Sequence, residues 1–145
     1  MKSDSGTLST NAGLRFMGDR LEPQRVTALL GTEPTVAYRK GEIARPGTRY
    51  KFRGRTGLWW VSSSRRVSST DLKDHLGYLI GILFPDGKPD LVEPLRLLMA
   101  EDGLKADVDC FWYGEHGAQP PEIPDYIRQL FARLPAPIET DYDTD

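Results

Sequence analysis

The sequence predicts an α+β domain, an antiparallel sheet with its helices packed on one face. Two observations lead there. Segments with the period of strands alternate along the chain with segments of helical period. One local pattern also occurs twice. Leu14–Gly18 leads into Pro23, Val26, Leu29 and Leu30, and Cys110–Gly114 leads into Pro124, Ile127, Leu130 and Phe131. Each helix residue of the second set follows its counterpart by 101 positions, as in a repeated strand, glycine turn, proline-started helix and return strand. A chain of 145 residues fits one domain, long enough to bury roughly two-thirds of the surface its unfolded form exposes.

Residues 1–12 are rich in Ser, Thr, Gly and Asn and read as a disordered lead-in, followed by a single domain over 13–142. Ala12–Met17 is a first strand, broken by Gly18 and Asp19. Pro23 opens a helix to residue 30, because its fixed φ suits the first turn. Val26, Leu29 and Leu30 form the buried stripe, and Gly31 is a left-handed stop. Thr35–Lys40 is β-branched and aromatic, hence strand. From Gly41 to Arg55 the chain is basic and aperiodic, a long hairpin loop with strand around Tyr50–Phe52. Gly57–Ser63 is the clearest central strand.

Ser69 and Thr70 offer an N-cap, with Asp71 in the first helical turn. Leu72, Leu76, Leu79, Ile80 and Leu83 then recur at helical spacing up to Pro85. A DGKP turn at 86–89 precedes a helix over Leu91–Ala100, whose start Pro94 shifts or kinks, and Gly103 ends it. Asp107–Tyr113 alternates and is strand, 124–134 is helix, Pro137–Tyr142 is strand, and residues 143–145 are an acidic tail. The first six elements match a ferredoxin-like βαββαβ order with an αβ unit appended. The repeated pattern equally fits two pseudo-symmetric halves sharing one sheet.

Composition excludes several classes. Apolar residues make up 39% and charged residues 28%, an ordinary balance for a folded chain. The longest apolar run, Leu76–Phe84, falls far short of the roughly 20 residues that span a bilayer. The polar N-terminus is not read as a secretory signal. A lone cysteine, Cys110, has no internal disulfide partner, and cytoplasmic is the expectation.

No motif carries a reaction. His75, His116 and Cys110 form no CxxC or HxxxH pair, so no metal and no cofactor are expected. Asp71 and His75, four apart on a helix, read as a surface ion pair. Ser62, Ser63 and Ser64 precede a helix bearing His75, but no GxSxG elbow is present, and serines there also solvate a strand end and cap a helix. Cys110, among apolar neighbours, reads as a buried inert thiol. No catalytic residue is assigned. Glu115, Glu122 and Asp125 surround Gly114, His116 and Gly117 ahead of a helix. That loop is either an anion or backbone binder or a plain glycine turn with helix-start acids.

Charge is the clearest sign of a surface role. Between Arg39 and Arg66 nine basic residues face Glu42 alone, while the rest of the chain holds ten basic and twenty acidic residues, for a net charge of -2. Tyr38, Tyr50, Phe52, Trp59 and Trp60 are interleaved with them. Such a stretch binds single-stranded nucleic acid, keeps an exposed hairpin soluble, or receives an acidic protein or the chain's own acidic tail. Trp59 and Trp60 are adjacent on a strand and must point to opposite faces, so at most one belongs to the core.

The ordered set LRFMGDRLEPQRVTALLGTEPTVAYRKGE, GLWWVSS, DLKDHLGYLI and FWYGEHG, over about residues 14–142, resembles the bacterial family catalogued as domain of unknown function 4279. Gly18, Pro34, Lys40, Gly41, Trp59, Ser62, His75, Gly114 and Gly117 carry the likeness. Its usual paired-glycine turn is interrupted here by Glu115 and His116. The resemblance implies a small α+β protein and no established residue roles. It also implies an immunity function against polymorphic toxins, which gene context has attached to some members.

The expectation is a non-enzymatic protein-binding, immunity-like module. Its partner surface is placed at Lys40, Arg45, Arg49, Lys51, Arg53, Arg55, Trp60, Gly114, Glu115, His116 and Gly117. The alternatives are a small enzyme or ligand-binding domain with a pocket at Lys40, Trp59, Ser62 and His75, and a nucleic-acid binder using the basic 39–66 segment. No membrane association is expected.

Overall fold

The computed structural model of the chain describes residues 6–44 and 52–145. Its elements run β1 (Thr7–Gly18), α1 (Pro23–Leu30), β2 (Val36–Tyr38), β3 (Ile43–Ala44), β4 (Phe52–Arg53), β5 (Gly57–Ser62), α2 (Leu72–Leu83), α3 (Val92–Asp102), β6 (Lys105–Gly114), α4 (Asp125–Ala132) and β7 (Ile138–Thr144). Among the described residues this is an α+β fold of four helices and a five-stranded, mostly antiparallel sheet in the order β2-β5-β1-β6-β7. The three pairings β2/β5, β5/β1 and β1/β6 are antiparallel, and β6/β7 is parallel.

The helices form where the sequence permits them. In α1, Pro23 occupies the first turn and Gly31 closes the end at φ +64, donating its N–H to the Thr27 carbonyl at 2.8 Å. Pro94 sits in the first turn of α3, where its missing N–H costs nothing. Gly103 stops that helix in the left-handed region. The N-cap of α2 is Asp71, whose side chain accepts from the Lys73 N–H at 3.0 Å, rather than Ser69 or Thr70.

Buried stripes from all four helices meet the inward residues of the sheet in one core. Ala12, Leu14 and Phe16 on β1, Trp59 and Val61 on β5, and Ala106, Val108, Cys110 and Trp112 on β6 point inward. The alternate residues lie on the opposite face, which no helix among the described residues covers. The buried tryptophans find partners for their N–H groups, as apolar surroundings require. Trp59 sits edge-on to Phe16 and donates to Thr27 Oγ1 at 3.0 Å; Trp112 donates to Thr7 Oγ1 at 2.8 Å.

Four differences from the sequence reading stand out. Strand β1 begins at Thr7, so residues 7–12 of the expected lead-in are strand, held in register against β6. The acidic end is not a tail, because β7 runs to Thr144 beside β6. The short β3/β4 ribbon forms its own two-stranded sheet, so the chain order is not the plain βαββαβ plus αβ that was expected. Finally, the two similar units are not equivalent halves. β6 and β7 are neighbours, whereas β5 is inserted between β1 and β2. The repeat holds within the helices, where Val26 and Leu30 of α1 and Ile127 and Phe131 of α4 are all buried.

Candidate functional site

The uncovered sheet face contains a hollow of about 380 Å³ lined by Arg15, Val36, Tyr38, Phe52, Leu58, Trp60 and Asp109. Strand alternation puts these residues there. Trp60 pairs with Val36 on one side and Arg15 on the other, and Tyr38 pairs with Leu58. The β3/β4 ribbon brings Phe52 edge-on to Tyr38, with ring centroids 5.8 Å apart and planes at 89°. Phe52 is half exposed, at 50%, so its ring forms part of the open wall of the hollow.

Trp60 donates its indole N–H to Asp109 Oδ2 at 3.0 Å. It reaches over Gly13, where a Cβ would lie 2.3 Å from the indole nitrogen and 2.7 Å from the carboxylate. Only a residue without a side chain leaves room for that bridge. Burial raises the Asp109 carboxyl above its ordinary range, an effect only partly offset by the Trp60 hydrogen bond and the charge of Arg15. Arg15 itself is committed elsewhere, gripping Asp107 with two hydrogen bonds of 2.7 and 2.8 Å. Among the described residues, no other side chain donates to Asp109.

The face is electrically divided. Ile138 and Tyr142 of β7 pack on the core, so Glu139, Asp141 and Asp143 alternate onto the open face beside Asp107 and Asp109 of β6. On the β2 side stand Arg39, Lys40, Arg53 and Arg55, all exposed. Part of that positive charge is neutralised locally. Arg39 pairs with Glu22 at 2.5 Å and Lys40 Nζ with Asp19 at 3.0 Å, whereas Arg53 donates to the Gly41 carbonyl at 2.9 Å and keeps its charge. Arg45, Arg49 and Lys51 lie outside the described residues.

The expected pocket of Lys40, Trp59, Ser62 and His75 is not assembled. Lys40 is at the surface with Asp19, and Trp59 is wholly in the core. The Ser62 N–H donates to Thr35 Oγ1 and its hydroxyl accepts from the Ser64 N–H. His75 turns instead to Ser63, with Oγ and Nδ1 2.6 Å apart, and to the Ser69 carbonyl, 2.6 Å from Nε2. A carbonyl only accepts, so Nε2 carries the proton and Nδ1 accepts from the Ser63 hydroxyl. Ser63 Oγ in turn accepts the Ala12 N–H at 2.9 Å.

This array has the donor order of a serine–histidine pair, but Ser63 is 0% and His75 2% exposed. With every polar atom satisfied, it serves as a clasp joining the end of β5, strand β1 and helix α2. His75 shares the buried stripe of Leu72, Leu76 and Leu79, and the Asp71–His75 surface pair does not form. That stripe was the signal sequence reasoning passed over.

The Gly114–Gly117 loop is engaged by the chain itself. Glu115 N–H donates to the Gly6 carbonyl at 2.8 Å, and Asp145 N–H to the Gly114 carbonyl at 3.0 Å. The Tyr113 hydroxyl donates to the Asp145 carboxylate, and His116 Nδ1 donates to the Asp145 oxygen at 3.1 Å. Gly114 is required by packing, since a Cβ there would fall 2.3 Å from the Trp112 ring. Glu115, His116 and Gly117 remain exposed.

Cys110 is buried and its thiol is pushed up to about 12 by desolvation, which makes thiolate chemistry unavailable near neutral pH. Among the described residues no three His, Cys, Asp or Glu side chains cluster to hold a metal ion, and no helix is long and apolar enough to cross a membrane.

Sequence reasoning named Trp60, with Tyr38 and Phe52 among the aromatics of the basic stretch, but not Asp109, Arg15 or Gly13. Two signals for them were present: the Asp-Val-Asp-Cys alternation at 107–110, and a glycine inside a strand, which marks a close approach.

Neither a curated protein nor a solved structure matches the chain. The model of the family described as Domain of unknown function (DUF4279) matches residues 8–145, nearly the whole chain, and the chain belongs to that family.

Proposed function

We propose that this protein is a non-enzymatic, protein-binding module of the immunity-like kind, and that it docks its partner on the uncovered sheet face around Trp60. The observation that carries this reading is the Trp60–Asp109 bridge over Gly13. It holds a large aromatic ring in a fixed orientation on a surface that no helix among the described residues covers. Pre-ordered aromatic side chains of this type are the residues on which protein interfaces concentrate their energy. Flanking charges of opposite sign, acidic on β6/β7 and basic on β2 and the ribbon, steer encounter and fix orientation.

The same reading has the protein acting in the bacterial cytoplasm, an environment with which its lone buried thiol is compatible. The test is affinity capture from the native cell with three baits. The unsubstituted protein and Leu97→Ala, a change on the exposed helical side where Leu97 is 58% accessible, should retain the same partner. Trp60→Ala should lose it. Equal recovery by all three baits would place the interface elsewhere.

A further inference from the structure

The hollow beside Trp60 is lined by apolar and aromatic side chains, by a carboxylate, and by Arg15, whose guanidinium is held on Asp107 by two hydrogen bonds. Trp60, Tyr38 and Phe52 supply aromatic surface, and Asp109 supplies a carboxylate already half removed from water. Resting on the docking surface proposed above, we infer that this hollow accepts a cationic side chain of the partner protein, arginine in preference to lysine.

Three features select that occupant. Aromatic faces attract a cation through their quadrupole, most strongly where water is excluded. Asp109 has one oxygen engaged by the Trp60 N–H, and Arg15, hydrogen-bonded to Asp107, offsets the burial of Asp109 only in part. Compensation of the carboxylate is therefore incomplete, and burial remains the largest influence on it. A cation placed against it relieves that penalty, whereas a neutral or acidic group deepens it. The surrounding β1, β6 and β7 face is also net acidic, with Arg15 and Lys105 against five carboxylates. Preference for arginine follows from shape: a planar guanidinium stacks on an indole while its edge donates to a carboxylate oxygen, which an ammonium cannot do at once. The volume, about 380 Å³, is ample for one such side chain and its stem.

The indole N–H resonances of the three tryptophans provide the readout. Protein labelled with 15N at its tryptophans is titrated with N-acetyl-arginine amide, with the neutral isostere N-acetyl-citrulline amide, and with N-acetyl-phenylalanine amide. The arginine probe should shift the Trp60 signal saturably while those of buried Trp59 and Trp112 stay in place. The citrulline and phenylalanine probes should bind roughly tenfold more weakly or worse. Asp109→Asn, which keeps an acceptor for the indole, should reduce the arginine affinity by a similar factor. If that variant does not fold, the comparison of probes on the unsubstituted protein decides alone.

Equal affinity for the citrulline or phenylalanine probe, or an unmoved Trp60 signal with the arginine probe, would overturn the assignment. If the arginine probe fails while capture still depends on Trp60, the docking face stands and only its chemistry is wrong. If both fail, both readings fall.

Discussion

Trp60 of β5 donates its indole N–H to Asp109 of β6 across the width of an intervening strand, and the residue beneath the bridge is Gly13 of β1. Three strands of the sheet are thus tied together on the solvent side by one hydrogen bond. The same contact orients the ring that the rest of the open face is built around.

Gly13→Ala should break this bridge. The new Cβ would stand 2.3 Å from the indole nitrogen, so the ring or the carboxylate must move away. Such overpacking costs roughly 1–3 kcal/mol. Denaturant unfolding should show that loss, and the Trp60 indole resonance should move toward the position of an unbonded N–H. A variant with unchanged stability and an unchanged indole signal would show that the bridge is not held as described.

The Asp109 carboxyl makes stability depend on pH with a definite sign. In the unfolded chain it releases its proton around the ordinary value of 3.8, and in the folded protein burial makes it release later. Between those two points the folded state holds more protons than the unfolded one, so this group's contribution to stability falls as pH rises and stays low at neutrality. Arg15, which lowers the carboxyl, and Asp107, which raises it, are the charges facing it. Asp109→Asn lacks the titration. Its melting temperature relative to the unsubstituted protein should therefore be better at pH 7 than below pH 3.8, the change falling where the folded carboxyl titrates and levelling off above it. A constant difference across that range contradicts the account.

Ser63→Ala tests the buried clasp. Removing the hydroxyl leaves His75 Nδ1 and the Ala12 N–H without partners. Each buried unsatisfied group costs about 1–3 kcal/mol, so a loss of about 2–6 kcal/mol is expected. Partner capture at temperatures where the variant is folded should be retained, because the clasp lies on the helical side of the sheet. Loss of binding without loss of stability would give Ser63 a functional role instead.

Much of this was legible in the residues, for physical reasons that differ between elements. Helix α1 declared itself through Pro23, the Val26/Leu30 stripe and Gly31, and α2 through leucines at helical spacing. In each case burial and backbone preference agree. The first half of β1 did not, because Ser9, Thr10 and Asn11 suit a coil as well as a strand. Their strand state comes from pairing with β6, a partner roughly a hundred residues away. The acidic end misled in the same way: Asp141 and Asp143 look solvated, yet they alternate with Thr140 and Tyr142 along a parallel edge strand.

The site was half legible. Adjacent tryptophans had to diverge, and Trp59 is wholly buried while Trp60 takes the open face. Which residues surround Trp60 depends on the register of β2, β5, β1 and β6, and local sequence does not fix register. His75 was misplaced for a related reason. A histidine four residues from an aspartate suggests a surface pair, but its position in the Leu72–Leu79 stripe puts it inside.

The decisive measurement is hydroxyl-radical footprinting of the complex with whichever protein the unsubstituted bait retains and the Trp60→Ala bait does not. Oxidation of Trp60, Tyr38 and Phe52 should drop on binding, while Leu97 and Tyr126, exposed on the helices, should react as in the free protein. Protection of Leu97 or Tyr126 with Trp60 still fully reactive would mean that recognition happens on the helical side, and that the bare side of the sheet is not where this molecule meets its partner.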